Sequence, residues 1–203
     1  MQLYYHPFSS ASKRVTMTAS ELGISLELVH VGDLLAPSTK SEIVKINPNA
    51  RVPILVDGRF TLWESYAISQ YLCDKTPGQQ LYPNDFKARA DINRWQFWGA
   101  QHLTPAIGTV GWERVGKPAF GKGEPDSKEI QRGESELDTL FPILNEHLKL
   151  NEWMCLGQLT IADIALAAPL MIAEPAGLRI ERFSHIARWF KAIQNRPSWV
   201  YGI

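Results

Sequence analysis

Two residue pairs carry the chemistry that can be read first from this chain. Val52-Pro53 is followed eleven residues later by Glu64-Ser65, and between them two short apolar runs flank Asp57-Gly58. An Asp-Gly step between such runs predicts a two-residue hairpin turn of type I′. Pro53 cannot donate to a ladder, so it belongs at a strand start or an edge and leaves backbone groups free nearby. Glu64-Ser65 falls where the second strand passes into the next element. Free backbone groups, a carboxylate and a hydroxyl then converge at one end of a small sheet, which suits a peptide-like ligand. Ser65 at a helix start suits an anion, because free N–H groups and the helix dipole meet it there. A second polar cluster, Ser9-Ser10-Ala11-Ser12, opens another helix. Serines in such a turn cap the helix or present a hydroxyl to a ligand, and the residues alone leave both readings open.

The elements that must hold these residues follow from periodicity. Leu3 to His6 reads as a strand, Arg14 to Leu22 as a helix with Gly23 at C′, and Leu26 to Val31 as a second strand. After a loop containing Pro37, a short helix is predicted over Ser41 to Ile46, then the hairpin, then a helix from Ser65 to about Asp74. The order is β-α-β-α-β-β-α. Pro77 to Asp85 is rich in turn formers and is the predicted linker. Beyond it the pattern is helical: Ala88 to Gln101, Asp126 to Leu148, Thr160 to Ala173 and His185 to Asn195, with Gly116 to Pro125 as a loop. Thr160 and Asp163 form a capping box worth about 1–2 kcal/mol, a structural role for this aspartate.

Composition narrows the partners. The 203 residues hold 21 Lys+Arg against 21 Asp+Glu, so charge gives no reason to expect nucleic acid or an anionic membrane as a partner. Cys73 and Cys155 lie far apart and form no Cys-x-x-Cys pair, which fits a reducing cytoplasmic setting. The N-terminus has no basic region before an apolar run, so no signal peptide is expected. Leu159 to Leu178 is apolar but broken by Asp163, Pro169, Glu174 and Pro175, which makes it a buried helix and not a membrane span. The histidines show no metal-like spacing, and no metal is expected.

Taken together, the β-α-β-α-β-β-α unit, the Val-Pro strand start, the Glu-Ser pair, the linker and the helical half with its Thr-x-x-Asp box resemble the cytosolic glutathione transferases over essentially the whole chain. The resemblance implies an α/β plus all-α fold: a thioredoxin-like glutathione-binding domain over 1–80, then a helical bundle domain over 86–203 that contributes the electrophile pocket. It implies a cis bond before Pro53. Val52 would pair with the cysteinyl backbone of glutathione like an added strand. Glu64 would meet the γ-glutamyl ammonium and Ser65 its carboxylate. Arg51 and the weaker candidate Lys40 are placed for the glycyl carboxylate, unless they are only solvated loop cations.

The serine turn is similar to the Ser-Ser-Cys-x-x-Arg-Val run of the zeta class and to the serine turns of the theta, delta and phi classes. By that match Ser9 is the thiol-activating hydroxyl, with Ser10 second and Ser12 third. Ala11 stands where zeta-class isomerases and beta-class members carry a cysteine, which weighs against both. Tyr4 and Tyr5 precede the turn and read as core-packing or exposed sheet-face residues rather than the phenol of tyrosine-type classes. Phe8, Trp98, His102 and Trp112 are the candidate walls of the electrophile pocket. The implied activity is conjugation of the glutathione thiolate to small hydrophobic electrophiles by a homodimer, with glutathione as cosubstrate. The alternatives are a glutathione-dependent isomerase, dehalogenase or peroxidase, and a non-catalytic binding or structural protein on the same fold.

Overall fold

A row of leucines runs across the sheet of the first unit and explains its layering. In the computed structural model, which describes residues 1–200, strands β1 (Gln2–Tyr5), β2 (Glu27–His30), β3 (Ile54–Asp57) and β4 (Phe60–Trp63) form one sheet in the order β2-β1-β3-β4. β1 pairs parallel with β2, while β3 is antiparallel to both β1 and β4. Register places Leu28, Leu3, Leu55 and Leu62 side by side on one face. Against that row pack Val15 and Ala19 of helix α1 (Ser10–Glu21) and Ile68 and Leu72 of helix α3 (Ser65–Lys75). Strand residues one position on point the other way, so Tyr4, Val29 and Ile43 of helix α2 (Pro37–Ile43) line a separate hollow of about 520 Å³. Tyr5 packs against the leucine core, so neither tyrosine is in the serine turn.

Three sequence expectations shift here. Helix α2 begins at Pro37, four residues before the predicted start, because proline at the first helical position loses no bond and brings a helical φ. The hairpin turn is offset by one residue. Asp57 pairs with Phe60, leaving Gly58 and Arg59 as the loop. Gly58 sits at φ 61° and Arg59 is not at positive φ, which is the type II′ pattern and not type I′. Asp57 is then free to pin α3, accepting from the Tyr71 hydroxyl at 2.7 Å and from Lys75.

The second unit, Pro83 to Asn195, is helical throughout. Helix α4 (Phe86–Trp98) does not stop near Gln101 as predicted. It continues through a π-helical stretch (Gly99–Leu103), α5 (Thr104–Gly111), a second π stretch (Trp112–Gly116) and the single turn α6 (Lys117–Ala119). Pro105 and Pro118 each follow a π stretch closely. Wider turns let the chain accommodate a proline ring that would clash with a carbonyl of the preceding α turn. The predicted Gly116 to Pro125 loop is therefore helical in its first residues. Helix α7 (Ser127–Leu150) is capped by Asp126 and crosses α5 at Gly133, where an added Cβ would lie 2.7 Å from Val110. Helices α8 (Ile161–Ala167) and α9 (Ser184–Gln194) complete the unit, the former running on as a 3-10 turn (Ala168–Ile172).

Residues 196–200 group with the first unit, whereas the sequence assigned 86–203 to the helical domain. Arg196 forks onto Glu21 of α1 at 2.6 and 2.7 Å, and Ser198 bonds the same carboxylate. The Lys13 ammonium donates to the Trp199 carbonyl and lies 4.7 Å from the centre of its ring. Burial depresses Lys13 to a pKa of about 8.

Candidate functional site

One end of the sheet gathers the polar residues predicted from sequence. The turn after β1 is tied by its own backbone and by His6. The Ser9 N–H donates to the His6 carbonyl at 3.0 Å, and the Phe8 N–H donates to His6 Nδ1 at 3.2 Å. The His6 N–H in turn donates to the Ser12 hydroxyl at 3.3 Å. With Nδ1 accepting, the neutral ring carries its proton on Nε2. Burial lowers the His6 pKa from its ordinary value, nearby His30 adds to the effect and Asp33 opposes it. Ser9 caps α1, its Oγ accepting from the Ser12 N–H at 3.1 Å, and Ser10 is the first helical residue. A hydroxyl that accepts an amide still has a proton to donate, so capping and thiol activation are compatible at Ser9.

The second strand-end feature is the loop before β3. Asn47 is buried and organises it: Nδ2 donates to the Arg51 carbonyl at 2.7 Å, and Oδ1 accepts from the Asn49 N–H and Nδ2 at 3.0 Å each. Ala50 sits at φ 51°, and the Val52-Pro53 bond is cis, as the resemblance implied. β3 starts only at Ile54, so the Val52 N–H and C=O lie outside the ladder and have no partner among the described residues. Register sets Ile54 beside both Tyr4 and Trp63, so this free peptide group lies at the sheet end from which the β1 turn and the β4–α3 junction depart.

At that junction Glu64 adopts φ 72°, ψ 107°, a region costly for any residue with a Cβ by about 1–3 kcal/mol. Its carboxylate is exposed while Ser65, the first residue of α3, is 4% exposed. Strain at such a corner buys a fixed orientation of side chain and helix start, and it points to a binding role. Sequence did not forecast what lies behind Ser65. Arg14 of α1, 2% exposed, donates from Nη1 to Ser65 Oγ at 2.6 Å and stacks its guanidinium 4.0 Å from the centre of the Tyr66 ring. Burial lowers the Arg14 pKa, with Tyr66 and Glu64 opposing the shift. The serine-turn run includes Arg14, but nothing local shows that it is buried against Ser65, 51 residues away.

Arg51 and Lys40 are both exposed cations, Arg51 beside Val52 and Lys40 within α2. Phe8 is 82% exposed next to Ser9. In the helical unit the Trp98 ring packs edge-on against Trp95 and lies 6.5 Å from His102. Trp112 is stacked on Phe120 instead, about 15 Å along the helix from His102 at 1.5 Å per residue. A cavity of about 1040 Å³ lies wholly among second-unit residues such as Phe141, Phe183 and Phe190, and none of the predicted site residues lines it. Its rim mixes Arg114, Arg179 and Arg182 with Glu134, Glu174 and Glu181, so it selects no charge. Size alone does not make it the site.

Among the described residues no group of three or more His, Cys, Asp or Glu is arranged to hold a metal, and no helix is long and apolar enough to cross a membrane.

A four-stranded sheet with a cis-proline at its edge, followed by a helical unit, defines a thioredoxin-like domain joined to an all-α one. Family comparison agrees: residues 3–80 match the glutathione S-transferase N-terminal domain and residues 103–197 the glutathione S-transferase C-terminal domain. The chain is 33% identical over 204 residues to glutathione S-transferase D7 of Drosophila melanogaster, covering 98% of this chain and 87% of that one. Glutathione transferase F2 from Populus trichocarpa superposes with a TM-score of 0.89 at 24% identity, covering 98% and 94% of the two chains. Ure2p in complex with glutathione superposes with a TM-score of 0.84 at 25% identity, covering 98% and 96%. The chain belongs to the glutathione S-transferase family and is a glutathione transferase.

Proposed function

We propose that this protein binds glutathione at the sheet end of its first unit and conjugates the thiolate to small hydrophobic electrophiles. The observation that carries this is the convergence of the unpaired Val52 peptide group, the Glu64–Ser65 corner and the Ser9 hydroxyl at one end of one sheet. Val52 pairs with the cysteinyl backbone, Glu64 takes the γ-glutamyl ammonium and Ser65 takes its carboxylate. Arg51, with Lys40 more remote, meets the glycyl end. Ser9 donates to the sulfur anion, aided by the positive end of α1, with Ser10 as the second hydroxyl. The thiol proton leaves to solvent. The sulfur then forms the new carbon–sulfur bond as the leaving group departs or the activated double bond is saturated. Of the candidates for the electrophile, Trp98 and His102 are supported by their mutual proximity and Phe8 by its exposure beside Ser9, whereas Trp112, stacked on Phe120 farther along the helix, has no such support. The resemblance extends to a cytoplasmic homodimer that needs no metal.

Removing one donor to a developing anion costs about a hundredfold in turnover or more. Ser9→Ala is therefore expected to lower the rate with a chlorodinitrobenzene-type acceptor about that much while glutathione affinity stays within about twofold. Equal rates for the two proteins would remove Ser9 from the active role.

A further inference from the structure

A closed ring of hydrogen bonds holds the serine turn, and it begins and ends on His6. The His6 N–H donates to the Ser12 hydroxyl, the Ser12 N–H to the Ser9 hydroxyl and the Ser9 N–H to the His6 carbonyl. Ser9 is thereby held at its amide and at its hydroxyl oxygen together. Pro7 has no N–H, so the next amide of the turn is that of Phe8, and it ends on the His6 ring at Nδ1. This bond joins a side chain to the N–H two residues on, which is an Asx turn with an imidazole in place of the carboxamide. It is also a bond that a proton breaks. A protonated imidazole is a donor at both nitrogens, so it would face the Phe8 N–H as donor against donor. The ring is 6% exposed and lies 5.2 Å from the His30 ring and 5.6 Å from that of Phe8, centre to centre. Burial and His30, at the end of β2, favour the neutral form. Asp33, in the loop after β2, favours the charged one, and α1 meets His6 through the uncharged Ser12. Phe8 is 82% exposed, so the bond to His6 is a main restraint on the backbone leading into Ser9.

We propose that His6 is a positioning residue for thiol activation: its neutral ring holds the Phe8–Ser9 backbone, and protonating the ring releases it and lowers turnover. This rests on the reading of Ser9 as the thiol-activating hydroxyl. His6 touches neither the sulfur nor the electrophile in this role, so its effect falls on kcat and on the pH dependence of kcat.

The test reads the turn and the reaction separately. In an NMR pH titration of the free wild-type protein, the Phe8 amide should move with the same midpoint as the His6 ring. Asp33→Asn should carry both midpoints to lower pH together, and His30→Gln should carry both to higher pH. At neutral pH, with saturating glutathione and a chlorodinitrobenzene-type acceptor, His6→Leu should lower kcat about tenfold and leave KM for glutathione within about twofold. An asparagine amide can accept the Phe8 N–H as the ring does and does not titrate, so His6→Asn should recover kcat to within about threefold of wild type. Below the His6 midpoint the wild type should lose kcat more steeply with falling pH than His6→Asn, whose decline retains only protonation of the glutathione thiol. A Phe8 amide that does not follow the ring, equal steepness in the two proteins, or an undiminished kcat in His6→Leu would overturn the proposal. If His6→Leu does not fold, the comparison of wild type with His6→Asn decides by the same steepness. An unchanged rate in Ser9→Ala would be a different result: it would remove the reading of Ser9, while the Phe8 amide and the His6 ring would still titrate together.

Discussion

Asp163 in the helical unit and Arg14 in the first unit are both buried charges, and their surroundings differ in kind. The Asp163 carboxylate accepts from the Met154 N–H, the Thr160 N–H, the Thr160 hydroxyl and Trp189 Nε1, all at 2.8 to 2.9 Å. Those donors come from the loop before α8, the cap of α8 and helix α9, so one side chain closes three segments on itself. Arg14 instead donates to the Ser65 hydroxyl, whose own proton has no acceptor among the described residues. A closed network is worth stability. An open one is worth binding, because a ligand completes it.

The contrast breaks most easily at Asp163. Asp163→Ala strips four buried donors of their acceptor and should cost about 3–5 kcal/mol, read by denaturant unfolding. Whatever fraction remains folded should bind glutathione normally. A loss under about 1 kcal/mol would show that the network is not what closes the unit. Ser65→Ala should invert the pattern, with glutathione affinity falling about tenfold or more and stability by only about 1–2 kcal/mol. A smaller effect is expected at His6. Its pKa is depressed in the folded state, so between that value and 6.5 the unfolded chain binds more protons. Stability should therefore decline as pH falls through this window, since a protonated Nδ1 can no longer accept from the Phe8 N–H. His6→Gln should flatten the decline, and an unchanged pH profile would remove His6 from the turn. The smallest effects belong to the exposed cations: Arg51→Ala should weaken glutathione a few-fold and Lys40→Ala hardly at all, as solvated charges contribute little.

Sequence revealed the parts of this design that are local. The β-α-β-α-β-β-α order, the Thr160–Asp163 box and the Val52-Pro53 and Glu64-Ser65 pairs all lie within a few residues of their own signals. It underestimated Asp163, because the bonds from Met154 and Trp189 are tertiary and leave no mark on the Thr-x-x-Asp pattern. It gave Arg14 only as the arginine of the serine-turn run and missed its burial and its bond to Ser65 for the same reason, a charged residue on a helix being a solvated one until the fold buries it. The long run from Phe86 to Ala119 was hidden by glycines and prolines that ordinarily end helices and here are absorbed by π turns. Asn47 went unread because its turn-forming side chain looked like a simple helix stop before Pro48, whereas its amide also holds the Arg51 carbonyl. The return of Arg196 to Glu21 joins residues 175 apart and has no local signal at all.

The most direct measurement is a glutathione titration followed by backbone amide NMR on the wild-type protein. If the open sheet end is the receptor, shifts should concentrate on Ser9, Ser10, Val52, Glu64, Ser65 and Tyr66, while the amides of Phe141, Phe183 and Phe190 around the large helical cavity stay in place. Shifts confined to the cavity residues, with Val52 and Ser65 unmoved, would contradict the account.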